Sequence, residues 1–235
     1  MFDPKTLLDN LLGSQLPDGH TVRDKAGQAV QLAKDNPLAT GALAAVLLGT
    51  GAGRSITGSA VKLGGLAAIA GLAYKAYQNY QAGQPPEVSA KPDQELLPPP
   101  SDTVFHPSQA PQGETEFALV LVRAMIAASR ADGHIDEAER ARIADRLSLS
   151  GMEQEAGDFL VQELERPVDL DALVAAAQTD AQKVELYTAS RLAIEPKTRA
   201  ERGYLDHLAG RLKLPDTLVD HIEATVSSAT VQVGP

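Results

Sequence analysis

The sequence predicts an all-α fold, and three observations carry the prediction. Apolar residues between 114 and 228 recur at helical spacing. No segment there alternates apolar and polar residues as a half-buried strand does. Turn and stop residues such as Asp132-Gly133, Pro167 and Pro215 punctuate the pattern at intervals that suit short helices. The expectation is a C-terminal bundle of six to seven short helices. A Gly/Ala-rich hydrophobic helical segment and a Pro-rich linker precede it.

Residues 1–36 form an amphipathic N-terminal region. Phe2, Leu7, Leu8, Leu11 and Leu12 line one side of a short helix that stops at Gly13, and residues 22–34 read as a polar helix ending before Pro37. A basic start followed by an uninterrupted apolar run is missing, so this is not the pattern of a secretory signal.

Residues 37–82 change character. Stretches 38–53 and 63–74 carry no charge, and 37–84 contains Arg54, Lys62 and Lys75 but no acid. Small residues recur every fourth position as Gly41, Ala45, Gly49 and Gly53, and again as Ala60, Gly64 and Ala68. That spacing lets two helix backbones approach closely, as in membrane helix pairs. Each glycine costs about 1 kcal/mol relative to alanine inside a helix, so so many of them need a reason. Each uncharged run is shorter than the ~20 residues that span a bilayer. The reading that best accommodates both facts is a tight membrane hairpin turning near Arg54 and Ser55, with Tyr74, Tyr77 and Tyr80 at the interface. A single span with an interfacial second helix, then a soluble glycine-zipper oligomer, are the alternatives.

Residues 83–113 hold eight of the chain's 15 prolines, including Pro98-Pro99-Pro100. With little to bury, this segment reads as a disordered, semi-extended linker. In polyproline conformation, at ~3.1 Å per residue, it reaches roughly 90 Å.

The helical domain, 114–235, is read element by element. Phe117, Leu119, Val120, Met125, Ile126 and Ala127 give the first helix a broad apolar face. Ile143 and Leu147 mark the second, and Phe159, Leu160 and Leu164 the third, which stops before Pro167. Asp169 or Asp171 starts a fourth through Leu173, Val174 and Ala177. Val184, Leu186, Tyr187, Leu192 and Ile194 belong to the fifth, residues 204–212 to the sixth and 218–226 to the seventh.

The loop between the first two helices, Ala131-Asp132-Gly133-His134-Ile135-Asp136-Glu137-Ala138-Glu139-Arg140, is the richest in chemistry. Its spacing approaches the second half of the calcium loop D-x-[DN]-x-[DN]-G-x₅-E, with Asp132 before the glycine and Glu139 at the terminal ligand position. The first two ligand positions are Ala128 and Arg130, which removes two oxygens and rules against an ordinary EF-hand. The same residues also suit a turn and a helix cap without a metal. A weak internal repeat echoes Ala128-Ser129-Arg130 as Ala189-Ser190-Arg191 and Glu139-Arg140 as Glu201-Arg202. If the copies pair, Glu195 and Glu201 join Asp132, Asp136 and Glu139 in a site for a hard cation such as Ca²⁺ or Mg²⁺. The competing reading has Glu201 capping or salt-bridging its own helix.

Composition narrows the function classes. Net charge is −10, and residues 114–235 carry 22 acidic against 13 basic side chains, which disfavours nucleic acid as a partner. With no cysteine there is no disulfide, thiolate zinc site or cysteine nucleophile. His134 has no second histidine at helical spacing, and no phosphate loop or G-x-S-x-G is present, so catalysis is not expected.

The run 128–140, with A-D-G-H-I-D inside it, resembles the first acidic motif of the tellurite-resistance TerB-like family. Ile194-Glu195 followed by Glu201-Arg202 and Tyr204-Leu205 resembles its second. The whole layout is similar to YebE-type inner-membrane proteins. Coverage is best over 114–228. The second loop departs from the pattern, with Glu195, Pro196 and Lys197 where family members often have two aspartates. The resemblance implies an all-α domain, a divalent-metal role for the acidic loops and a link to membrane-associated stress responses. It also implies a bacterial inner-membrane location with the helical domain in the cytoplasm.

The resulting expectation is a membrane-anchored, non-enzymatic TerB-like module that senses a divalent cation or recruits a protein partner. The alternative is a structural or homo-oligomerisation scaffold with no metal site. A metal-assisted hydrolase using Asp132, His134 and Glu139 is the remaining reading.

Overall fold

The computed structural model describes residues 3–12, 54–56, 64–88, 96–131 and 154–232. Among these residues eight helices form an all-α bundle, joined by one short two-stranded ribbon.

Helix α1 (Pro4–Leu11) begins where Asp3 accepts from the Lys5 amide at 3.1 Å and the Thr6 hydroxyl at 2.9 Å. Such a side-chain cap satisfies otherwise orphaned donors at a helix start. Leu7 and Leu8 are buried, and Lys5 Nζ reaches Glu114 Oε2 at 3.0 Å. Strand β1 (Arg54–Ile56) pairs antiparallel with β2 (Thr230–Gln232) in the register Arg54 to Gln232, Ser55 to Val231 and Ile56 to Thr230.

Helix α2 (Gly65–Gln81) is the described half of the segment expected in a membrane. It packs against α1, and its other sides are covered by α6 (Asp180–Ala193) and α8 (Asp216–Ala229). Leu66, Ala68, Ile69, Ala70, Leu72, Ala73 and Ala76 are all buried. The uncharged first part of this helix, residues 65–74, is apolar on nearly every side, which a buried core position demands as much as a membrane does.

The expected membrane location is therefore corrected. No helix among the described residues is long and apolar enough to cross a membrane, and α2 is a core helix of the bundle. Tyr74 and Tyr77, expected at a lipid interface, instead pack against the buried Phe105 ring, with centroids 5.6 and 5.2 Å apart. Of the small-residue stripe, Gly64 and Ala68 are described. Gly41, Ala45, Gly49, Gly53 and Ala60 lie outside the described residues.

Close approach explains the glycine at the start of α2. A Cβ on Gly65 would stand 2.6 Å from the Leu8 carbonyl oxygen of α1, far inside contact distance. The Asp9 carboxylate accepts the Gly65 amide and so caps α2, and burial raises the Asp9 pKa. The small residues of this stretch thus seat one helix of the fold on another.

The Pro-rich stretch also contributes to the core. Leu96 and Phe105 are buried, and a 3-10 turn at Pro107–Gln109 follows a His106 cap. Residues 96–113, expected as a semi-extended spacer, run along the bundle surface and bury Leu96, Pro99 and Phe105.

Helix α3 (Glu114–Ser129) starts after Gly113 at φ 90°, a value that favours glycine. Helices α4 (Gln154–Glu165) and α5 (Leu170–Ala176) follow, the latter capped by Asp169, which accepts from the Ala172 amide at 2.9 Å. Helix α6 is capped by Thr179, which accepts from the Gln182 amide at 3.1 Å. Helix α7 (Arg199–Leu212) and α8 complete the bundle. The second expected helix, around Ile143 and Leu147, lies outside the described residues. The other six helices expected between 114 and 228 are present.

Helix α6 lies at the centre, in contact with α2, α3, α7 and α8, and most extensively with α3. The Gln182 side chain donates to Gln112 Oε1 at 2.9 Å, tying the start of α6 to the residues that lead into α3. The two helices therefore run in the same general direction, and their C-terminal ends lie at one end of the bundle.

Candidate functional site

That end of the bundle is where both acidic motifs begin. Helix α3 finishes at Ser129 and α6 at Ala193. The repeat read in the sequence falls on these two ends: Ser129 and Ser190 are both buried, and an arginine follows each.

The two arginines do different work. Arg130 donates to the Arg166 carbonyl at 2.6 Å, linking the end of α3 to the end of α4, while its Nε is buried without a partner. Burial lowers the Arg130 pKa. Beside it, Glu163 accepts from Arg123 at 3.0 Å and from Arg166 at 2.9 Å.

Arg191 is buried, and each of its three guanidinium nitrogens has a partner. Its Nε pairs with Glu223 Oε2, one terminal nitrogen donates to the Ile194 carbonyl at 2.9 Å, and the other donates to Ser227 Oγ at 3.3 Å. The Tyr187 hydroxyl donates to the second Glu223 oxygen at 2.9 Å. Burial, reinforced by the Glu223 charge, pushes the Tyr187 phenol far above its ordinary value. Charge-assisted bonds of this kind are roughly twice as strong as neutral ones, and this set clamps α6 to α8. Sequence reasoning missed it, because nothing local links residues 187, 191 and 223.

Two further buried polar positions on α6 are less satisfied. Burial pushes the Tyr204 phenol of α7 up to about 12; the Ser190 hydroxyl opposes that shift. Both hydroxyls are buried without a hydrogen-bond partner. Glu185 is 4% exposed, and burial raises its carboxyl well above the ordinary range.

The second acidic motif is a self-contained helix start. Thr198 Oγ1 accepts from the Glu201 amide at 3.1 Å, and Glu201 Oε2 accepts from the Thr198 amide at 2.7 Å. This is a reciprocal capping box. The same carboxylate oxygen also accepts from the Lys197 amide at 2.9 Å and the Thr198 hydroxyl at 3.0 Å. Glu195 pairs with Lys197 Nζ at 3.0 Å, and Arg202 donates to the carbonyls of Pro196 and Lys197 at 3.0 and 3.1 Å. The Thr-x-x-Glu spacing at 198–201 was a legible signal for this cap.

Of the residues expected to ligate a cation, Glu195 and Glu201 thus have internal partners. Asp132, Asp136 and Glu139 lie outside the described residues, as does His134. Among the described residues, no group of three His, Cys, Asp or Glu side chains is arranged to hold a metal ion.

The described residues define a class: an all-α bundle in which α3 and α6 run together and end, at Ser129 and Ala193, at one end of the bundle. The chain belongs to the family described as "Protein of unknown function (DUF533)", whose model matches residues 33–226. An "Uncharacterized protein in ampR 5'region" of Yersinia enterocolitica is 30% identical over 106 residues, which is 45% of this chain and 76% of that protein. No solved structure matches the chain.

Proposed function

We propose that this protein is a non-enzymatic, TerB-like interaction module. It recruits a protein partner at the end of the bundle where α3 and α6 terminate. A divalent cation such as Ca²⁺ or Mg²⁺, held by Asp132, Asp136 and Glu139, regulates that encounter. The observation that supports the reading is the shared direction of α3 and α6, pinned by the Gln112–Gln182 bond, which brings the C-terminal ends of both helices to one end of the bundle. The A-D-G-H-I-D run and its resemblance to the TerB-like motif support it.

Glu201 enters this reading as a positioning residue. A cation that recruited its carboxylate would have to displace three internal hydrogen bonds to Oε2. The cation therefore rests on the first loop, where the three candidate ligands Asp132, Asp136 and Glu139 fall within eight residues. Hard oxygen ligands of this kind suit Ca²⁺ or Mg²⁺ rather than a soft metal.

The test is thermal unfolding of the full chain, metal-stripped, with and without millimolar Ca²⁺ or Mg²⁺. Saturation at 100-fold over the dissociation constant adds about 2.7 kcal/mol. That is several degrees in Tm for a chain of this size. The rise disappears in Asp132→Ala and persists in Glu195→Gln. No rise with either cation would remove the metal from the account and leave a partner-binding scaffold.

A further inference from the structure

Residues 96–100, Leu-Leu-Pro-Pro-Pro, lie on the bundle as a strap. Leu96 and Pro99 are buried, whereas Leu97, Pro98 and Pro100 are exposed. A polyproline helix has three residues per turn, so burial at i and i+3 means that one edge of such a helix faces inward. Proline fixes φ near −65° at three of the five positions, and the residue before a proline is held extended, so this conformation is set by the sequence itself.

The surface beneath the strap is small and separate from the main core. Leu96 packs with Ala68 and Leu72 of α2, against the edges of Leu192 on α6 and Ala229 at the end of α8. Gly71 forms the notch. A Cβ there would stand 2.7 Å from the Leu97 carbonyl oxygen and 3.4 Å from the Leu96 side chain. The strap backbone can thus lie directly on α2 only because position 71 has no side chain.

Apolar side-chain contacts seat the strap. Among the described residues, no backbone hydrogen bond ties 96–99 to a helix; the first is the turn from the Thr103 amide to the Pro100 carbonyl at 3.0 Å. A preformed polyproline edge in an apolar groove is a recurrent mode of peptide recognition, because little conformational entropy is lost on docking. Here both halves of such a complex occur in one chain.

We propose that the Gly71 notch is a docking groove for proline-rich segments. The chain's own strap occupies it in cis, and the groove accepts the proline-rich segment of a partner protein, in the same Leu-x-x-Pro register, when the strap lifts. A short tether gives the strap an effective concentration in the millimolar range, so the groove is closed until a partner competes. This inference is independent of the cation reading and involves the opposite chemistry.

The test exploits the absence of cysteine from the sequence. Leu96→Cys in the full chain supplies a unique thiol under the strap, and its alkylation rate reports strap opening. Millimolar synthetic peptide corresponding to residues 96–106 is the competitor. Alkylation is expected to accelerate at least tenfold with the peptide and not with a version carrying Leu96→Ser and Pro99→Ser. As a second measurement, the full chain carrying Leu96→Ser and Pro99→Ser binds the fluorescein-labelled peptide at least tenfold more tightly than the natural chain. Adding Gly71→Val to that variant abolishes the binding. Alkylation that ignores the peptide, together with equal or absent peptide binding by the two chains, would make the strap permanent core and overturn the proposal. Dimerisation of the strap-released chain without peptide binding would assign the groove to a second copy and overturn it equally.

Discussion

Helices α2 and α6 are both central to the bundle, yet their sequences suggest opposite environments. Helix α2 looks like a membrane segment: its buried positions are Gly, Ala, Leu and Ile, and its described charge is Lys75. Helix α6 looks like a surface helix, with Asp180, Gln182, Lys183, Glu185 and Arg191 in fourteen residues. Both are buried over more than half of their length, α6 more than α2. Helix α6 buries Gln182, Glu185, Thr188, Ser190 and Arg191 along with its apolar face. Hydropathy therefore misplaces both, for one physical reason. Burial next to a partner backbone demands small volume, whereas burial next to a complementary charge demands a polar group, and neither requirement is a measure of contact with lipid or water.

The largest effect that separates the two helices comes from the charged clamp on α6. Removing Glu223 leaves the Arg191 guanidinium buried without a carboxylate. Glu223→Ala is expected to cost about 3 kcal/mol, the low end for breaking a buried pair because Glu223 keeps some exposure. Replacing both partners, Arg191→Met with Glu223→Leu, is expected to recover most of that loss. Urea midpoints of the two variants give the comparison; equal losses would mean that the clamp does more than neutralise charge.

Glycine substitutions probe α2 at an intermediate size. Gly210 in α7 has open space where a Cβ would go, so Gly210→Ala is expected to stabilise by about 0.5–1 kcal/mol, the usual helix gain. Gly65→Ala must push the α1 backbone away, and overpacking of that kind costs about 1–3 kcal/mol. Opposite signs in thermal unfolding confirm that α2 glycines serve close packing. A gain at both positions would refute it.

The smallest effect concerns Glu185 and depends on pH. Its folded pKa lies above the ordinary 4.5, so between those two values the folded chain holds a proton that the unfolded chain has released. Stability contributed by this group is present below pH 4.5 and falls as pH rises toward the folded value. Glu185→Gln is expected to flatten that slope and to raise Tm at neutral pH by a few degrees, at roughly 2–4 °C per kcal/mol. An unchanged slope would show that Glu185 is solvated in its charged form.

Much of the C-terminal helical pattern was legible. Periodicity and caps located α3 through α8, because these helices have the ordinary apolar faces and punctuation that sequence rules describe. The role of α2 was not legible, since an apolar helix buried by protein and one buried by lipid share a composition. Nor was the strap, because Leu96 and Phe105 are two apolar residues in a proline-rich stretch and only the i, i+3 relation of Leu96 to Pro99 hints at a buried edge. At the candidate site, a cap by Glu201 was one of the readings the sequence left open, and its Thr198 partner is found in the structure. The pairing of Arg191 with Glu223 depended on tertiary packing across 32 residues.

The β1–β2 ribbon has a consequence for the order in which the protein is made. Residues 54–56 leave the ribosome early, but their antiparallel partner is 230–232. At about 5–20 residues per second, β1 waits roughly 10–35 s for that partner. Helix α2 waits almost as long for α8, with the apolar surface that α8 covers left open. During synthesis the stretch whose sequence most resembles a membrane segment thus keeps an apolar face open to water until the last helix emerges.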